Sequence, residues 1–298
     1  MKIVSLIPSS TEIVDFLGLS KNLIGVSHEC DNPEMVKGLP ILTKSKIKIN
    51  QNSLKIDNDI KKILQLGLSV YEVKAKLLKD LNPDVIITQS QCSVCAVSLE
   101  QLKKSLGAWL DSSPRLIDLS PNSFDDILND ILKVGEFLNV SSNAIEKVNF
   151  IKTQVEVIKK KLINEKKKKV LCIEWLNPLM VAGNWIPDLL NFSNADSLMI
   201  QSGSNSNFIK FENLVKLKVD KVILMPCGFD INRTREELKY LDKNFDAFFH
   251  NKEVYLVDGN RFFNRPGPSI LESLYILCEI IHPDIFQPKP SNKRWIKL

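Results

Sequence analysis

The chain has 298 residues, 44% apolar and 25% charged, and 40 basic against 35 acidic side chains give a net charge of +5. That is ordinary globular composition with room for two lobes. So small an excess, much of it in Lys159–Lys161 and Lys166–Lys169, implies no nucleic-acid partner. No run approaches the ~18 apolar residues of a membrane span, so no membrane insertion is expected.

The N-terminal run Lys2–Ile7 reads as a buried strand. It is shorter than a secretory leader needs (roughly 7–15 apolar residues). The expectation is therefore a cytoplasmic protein, or a periplasmic one whose leader has been trimmed. Ser9-Ser10-Thr11-Glu12 fits a capping box, with Ser9 as N-cap, and Gly18 stops the helix. Leu23–Val26 is the next strand. Residues 44–55 read as irregular, and Ser69-Val70-Tyr71-Glu72 repeats the capping box for a helix to about Leu81. A strand at Val85–Thr88, a helix at Val97–Leu106 and a strand at Leu116–Leu119 follow. This alternation predicts a parallel-type sheet flanked by helices.

The middle is helical. Ser123 caps a helix from Phe124 to Leu138, and a second runs from about Ser142 to Glu165. Its stripe is Ile145, Val148, Ile151, Val155, Ile158 and Leu162. Strands then return at Val170–Glu174, Val222–Met225 and Val254–Val257, with helices at Phe211–Lys218, Arg233–Tyr240 and Ile270–Ile281. Residues 287–298 read as a tail. The expected layout is an α/β lobe over 1–120, a helical connector over 121–168 with one long bridging helix, and a second α/β lobe over 169–298.

Unusual side chains gather where strands end. Ser27-His28-Glu29-Cys30 follows one strand and Gln91-Cys92-Ser93-Val94-Cys95 another. Parallel strands would bring both loops to one sheet edge, where open α/β sheets bind ligands. His28, Cys30, Cys92 and Cys95 could hold a metal such as zinc or an iron–sulfur cluster. The Cys92-x-x-Cys95 pair equally fits a redox pair at a helix start, or thiols that are structural or touch a ligand. In the second half, Trp175 and Trp185, then Cys227 and Phe229, then Phe262, Asn264 and Arg265 follow successive strands. Aromatics so placed suit a flat, partly apolar ligand, and anchoring of the loops is the other reading. Glu174, at a strand end, is a candidate ligand contact or acid–base group. Arg265 suits a carboxylate, an amide, a phosphate or a structural ion pair. Cys278 reads as core, and His250 and His282 as helix C-terminal caps.

The opening Ile3-Val4-Ser5-Leu6-Ile7-Pro8-Ser9-Ser10-Thr11-Glu12 resembles that of the helical-backbone (class III) periplasmic-binding-protein superfamily. Ser27-His28-Glu29-Cys30-Asp31, Cys92-Ser93-Val94-Cys95, Cys172-Ile173-Glu174-Trp175, Ala182-Gly183-Asn184-Trp185 and Phe263-Asn264-Arg265-Pro266-Gly267-Pro268 resemble a leaderless, cysteine-containing subgroup of cobalamin-binding proteins. The resemblance implies two Rossmann-like α/β lobes joined by one long helix and a ligand held between them. That ligand would be a cobalamin-like corrinoid or related metal–tetrapyrrole, bound for intracellular storage, delivery or salvage. Pro8, Ser9, His28, Glu29, Cys30, Cys92, Cys95, Glu174, Trp175, Trp185, Cys227, Phe229, Phe262, Asn264 and Arg265 would contact it, with His28 or a thiolate axial to the metal. A transporter or a corrinoid-using enzyme would be the partner. A binding protein is expected rather than an enzyme. The alternative is a cytoplasmic zinc, iron–sulfur or thiol-redox protein working through His28, Cys30, Cys92 and Cys95, with Glu174 as acid–base.

Overall fold

A computed structural model describes residues 1–66, 68–91, 97, 99–107, 109, 114–250, 252–287 and 294–298. The chain divides into two compact units. The first comprises Met1–Gln51, Asn58–Pro121 and Asp126–Val148, and the second Asn52–Asp57, Asn122–Asp125 and Asn149–Leu298.

The first unit contains β1 (Ile3–Ser5), β2 (Leu23–Val26), β3 (Thr43–Ser45), β4 (Tyr71–Val73), β5 (Val85–Gln89) and β6 (Arg115–Leu119). Four of them form a parallel sheet in the order β2-β1-β5-β6. Every residue of β1 and β5 is buried, as a sheet covered on both faces requires. Val4, Leu6, Ile86, Leu102 and Leu106 belong to one apolar cluster on this sheet. The chain leaves β1 toward β2 on one side, while β5 lies on the other. The strand order thus switches direction between β1 and β5, and the carboxyl ends beside such a switch are where open α/β sheets bind ligands.

Local detail departs from the sequence reading in three places. The first helix is Pro8–Phe16, with Ile7 as N-cap, so Ser9 is not the cap. Proline suits the first helical turn, where its missing N–H is no loss. Ser10 and Thr11 hydroxyls turn back to the Ile7 carbonyl (3.0 and 3.3 Å). Second, the segment after Ser69 is β4, not a helix start. It pairs antiparallel with β3, which overlaps the start of the segment read as irregular. Tyr71 and Val73 favour strand, and the helix waits until Ala75–Leu81. Third, a helix at Ser53–Gln65 occupies the end of that same segment and the residues after it.

Helices Phe124–Phe137 and Ser141–Leu162 follow. Gly135 lets them meet, since a Cβ there would lie 2.3 Å from the Ala144 Cβ. The longer helix has 22 residues, roughly 33 Å at 1.5 Å each, and the boundary between units falls within it. Its predicted stripe is buried from Val148 to Leu162, but Ile145 is 52% exposed and Ala144 takes its place.

The second unit is built on β7 (Lys168–Trp175), β8 (Met180–Val181), β9 (Ala195–Ser197), β10 (Asn207–Phe208), β11 (Lys221–Leu224), β12 (Glu253–Val257) and β13 (Trp295–Lys297). The sheet runs β10-β8-β7-β11-β12-β13, with β9 also on β7. β7, β9, β11 and β12 are parallel, whereas β8, β10 and β13 add antiparallel. The expected tail thus ends as an edge strand. Helix Ile270–Ile281 has its predicted bounds. The helix beginning at Phe211 ends at Leu214, short of Lys218, and the helix implied before His250 is Lys243–His250, which packs Phe248 and Phe249 into the core.

Candidate functional site

At the carboxyl edge of the first sheet, hydroxyl groups organise the loops. Ser5 Oγ lies 2.6 Å from Ser10 Oγ and 2.7 Å from Thr11 Oγ1, and Thr11 Oγ1 lies 3.1 Å from Cys30 Sγ. Cys30 is therefore seated on the helix that Pro8 starts. Ser9 Oγ donates to Gln89 Oε1 (3.3 Å), tying the end of β1 to the end of β5. Pro8 and Ser9 are buried.

His28 is held by Thr43. Thr43 Oγ1 donates to Ser27 Oγ (3.1 Å), accepts from the His28 backbone N–H (3.0 Å) and lies 2.7 Å from His28 Nδ1. With the threonine proton given to Ser27, Nδ1 carries the ring proton and Nε2 keeps its lone pair. Burial, with Lys74 nearby, holds the imidazole pKa below its ordinary value. The ring is thus neutral at pH 7 and fit to ligate a metal centre. Tyr71 stands 5.4 Å from it and donates to Glu29 Oε1 (2.8 Å), fixing the next residue of the loop.

The edge also holds a carboxyl that sequence reasoning missed. Asp130 is 8% exposed, and one of its oxygens has no partner. Burial pushes its pKa up to about 7, against Lys133, which pulls it down. Thr43 and Gln89 were also missed. Their signal is a polar residue at or beyond a strand end that nonetheless has to be buried.

The second unit builds its edge from backbone. Met225 N–H donates to Ile173 O (2.8 Å) and Cys227 N–H to Glu174 O (3.0 Å), binding the loop after β11 to the end of β7. Asn260 N–H donates to Phe229 O (3.1 Å), and Asn264 Nδ2 donates to Met225 O (3.0 Å), binding the loop after β12 to the loop after β11. Gly259 allows this approach: a Cβ there would sit 2.3 Å from Pro226 O.

On this frame stand Glu174 and Trp175. Burial pushes the Glu174 carboxyl up to about 7, while a Ser206 hydroxyl bond pulls it down. Ser206 Oγ also accepts from Gly183 N–H (2.9 Å). The Trp175 indole N–H is buried with no hydrogen-bond partner among the described residues. Its ring lies 5.5 Å from Phe229, over which the Arg233 guanidinium stacks at 4.8 Å. Trp185 is 5% exposed and donates to Phe263 O (3.1 Å), which braces the loop from below. Asn264 spends its amide on Met225 and Gly259 carbonyls. Arg265 is 4% exposed, and Phe262 is partly exposed.

Cys92 and Cys95 lie outside the described residues. Among the described residues, no three His, Cys, Asp or Glu side chains are grouped to hold a metal ion. Burial, helped by the Glu174 charge, raises the Cys172 thiol far above its normal range, so it is an inert core group. Cys278 is fully buried. His282 caps its helix and bonds Ser193 O through Nε2 (2.9 Å). Among the described residues, no helix is long and apolar enough to cross a membrane.

Over 297 residues the chain is 25% identical to an uncharacterized ABC transporter substrate-binding lipoprotein, YvrC, of Bacillus subtilis, covering 96% of this chain and 81% of that one. Its fold matches a periplasmic heme binding protein from Pseudomonas aeruginosa (TM-score 0.71, 20% identity, 99% and 97% of the two chains). It also matches the periplasmic vitamin B12 binding protein BtuF of Vibrio cholerae (TM-score 0.65, 14% identity, 97% and 98%). The expectation of a cytoplasmic protein finds no support in these relatives. The sequence pattern of one family matches residues 3–245, well over half the length, and the chain belongs to that family, the periplasmic binding proteins.

Proposed function

We propose that this substrate-binding protein serves an ABC transporter, and that its substrate is a cobalamin-like corrinoid or a related metal–tetrapyrrole. The observation that carries this reading is the edge of the second unit. There stand a buried indole N–H with no partner among the described residues (Trp175) and, one residue earlier in the same strand, a carboxyl at the borderline of ionisation (Glu174). A buried donor left unmet costs about 1–3 kcal/mol, and an acceptor on a ligand's periphery would recover it. Phe229 backs the Trp175 ring. The neutral imidazole of His28, aligned by Thr43, supplies what a bound cobalt or iron takes as an axial ligand. The relatives with matching folds include one named for heme and one named for vitamin B12, which supports the same ligand class.

Calorimetric titration of purified protein with hydroxocobalamin, and separately with hemin, tests this. Saturable binding of one of them, with Kd at or below about 1 μM (about −8 kcal/mol), is expected. Heat of dilution alone with both, from folded protein, would remove the proposal.

A further inference from the structure

The opposite end of the second sheet carries a different surface. Lys166, Lys167 and Lys169 come from the start of β7, Lys218 from the turn before β11, and Lys252 from the residue before β12. With Val219 and Asp220 they line an open depression of about 510 Å³. Three separated segments thus bring five lysines to the lining of one depression, although the runs look like ordinary solvated lysines in the sequence.

Little negative charge answers them. One Asp220 oxygen accepts the Lys169 backbone N–H (2.8 Å), and Lys167 Nζ pairs with Asp196 (2.7 Å). Lys166, Lys169, Lys218 and Lys252 form no ion pair among the described residues. Their mutual repulsion opposes the fold, and an anionic surface would relieve it. Exposed apolar side chains lie close to the lysines along the chain: Ile163, three positions before Lys166, is 78% exposed, and Val215, three before Lys218, is 49% exposed.

We infer that this end of the second unit docks on an anionic phospholipid surface. The lining offers no arginine fork and no glycine loop. Lysines are hydrated point charges on flexible stems, so they read charge density rather than the shape of one small anion. Basic residues mixed with exposed apolar ones are the pattern of interfacial binding. β7 has eight residues, about 26 Å at roughly 3.3 Å each. Glu174 and Trp175 stand at its far end, so docking leaves that edge uncovered and ligand binding unaffected.

Co-sedimentation with vesicles tests the inference on the full chain. Vesicles containing phosphatidylglycerol bind at about 0.05 M salt and release at about 0.5 M, and pure phosphatidylcholine vesicles do not bind. The triple variant Lys166→Ala, Lys169→Ala, Lys218→Ala weakens binding on the order of a hundredfold, about fivefold for each lysine. Ile163→Ser weakens it a few-fold. A control with the same change of net charge, Lys76→Ala, Lys103→Ala, Lys104→Ala, keeps most of the binding. Circular dichroism checks that each variant is folded. Equal losses in the two triple variants would overturn the inference, because net charge alone would then explain the binding. So would an absence of vesicle binding, including the case in which inorganic phosphate or tripolyphosphate binds in its place.

Discussion

The two strand-end edges position chemistry by different means. In the first unit the work is done by side-chain hydroxyls: Ser5, Ser10 and Thr11 under Cys30, and Ser27 and Thr43 around His28. In the second it is done by main chain: loops laced carbonyl to amide, with Gly259 where two backbones touch. The first edge presents an imidazole with a defined proton, and the second an indole and a carboxyl. Each also holds one carboxyl that burial raises to about 7, Asp130 and Glu174. A hydroxyl network can be edited one atom at a time, whereas a laced backbone fails as a piece.

The largest effect should therefore come from the second edge. Gly259→Ala pushes a Cβ into the Pro226 carbonyl and is expected to cost about 3 kcal/mol, read by urea unfolding. A loss under about 0.5 kcal/mol, the scale of ordinary surface changes, would show that the lacing is loose and end the contrast.

Asp130→Asn should act next, and in the opposite direction. Its folded pKa lies above the unfolded carboxylate value, so the native carboxyl holds its proton more tightly. The stability this gives is complete below about pH 4 and is lost as pH rises through about 7. At pH 8 the asparagine variant should be more stable by about 2 kcal/mol, half the ideal linkage value, and at pH 4 it should show no gain. Equal gains at both pH values would mean that packing, not ionisation, is responsible.

Thr43→Val keeps the shape and removes the hydroxyl that the His28 backbone N–H and ring Nδ1 both use. A cost of about 1.5 kcal/mol is expected, with an upfield or downfield move of the His28 ring resonances and a changed imidazole titration by NMR. Unchanged His28 resonances would mean that the hydroxyl network does not orient the ring.

Glu174→Gln should have the smallest effect and sharpen the comparison most. A covering ligand desolvates the carboxyl further and so favours its neutral form. Affinity of the native protein should fall as pH rises through about 7, by no more than about tenfold, one pKa unit of linkage. The glutamine variant should bind equally across pH 6 to 8. A pH slope surviving in it would place the titrating group elsewhere.

Much of the fold was legible because burial on both faces writes long apolar runs: Val85–Thr88, Val222–Met225 and the final helix Ile270–Ile281 all stood out. Short amphipathic pieces did not. Tyr71–Val73 is a strand completed by Thr43–Ser45 beside it, and a capping-box pattern four residues wide cannot announce that partner. The mistaken N-cap at Ser9 has the same origin, since the Pro8 ring starts the helix and the serines turn their hydroxyls to Ile7 and to Gln89 instead. Of the site, the strand-end positions of His28, Cys30, Glu174 and Trp175 could be read from the pattern of runs. Their supports could not. Thr43 and Ser206 matter through contacts with residues distant in the chain, His28 and Glu174, and no local periodicity records such pairs. Trp185 shows the limit in the other direction: an aromatic in a strand-end loop that proves to be enclosed.

The most direct test of the account is an absorption titration of hydroxocobalamin and of hemin with native protein and with the His28→Ala variant. The account predicts saturation at one pigment per chain for at least one of them, with a band shift in the native protein that the variant lacks. Spectra that add linearly, with neither pigment perturbed by a folded excess of protein, would contradict it.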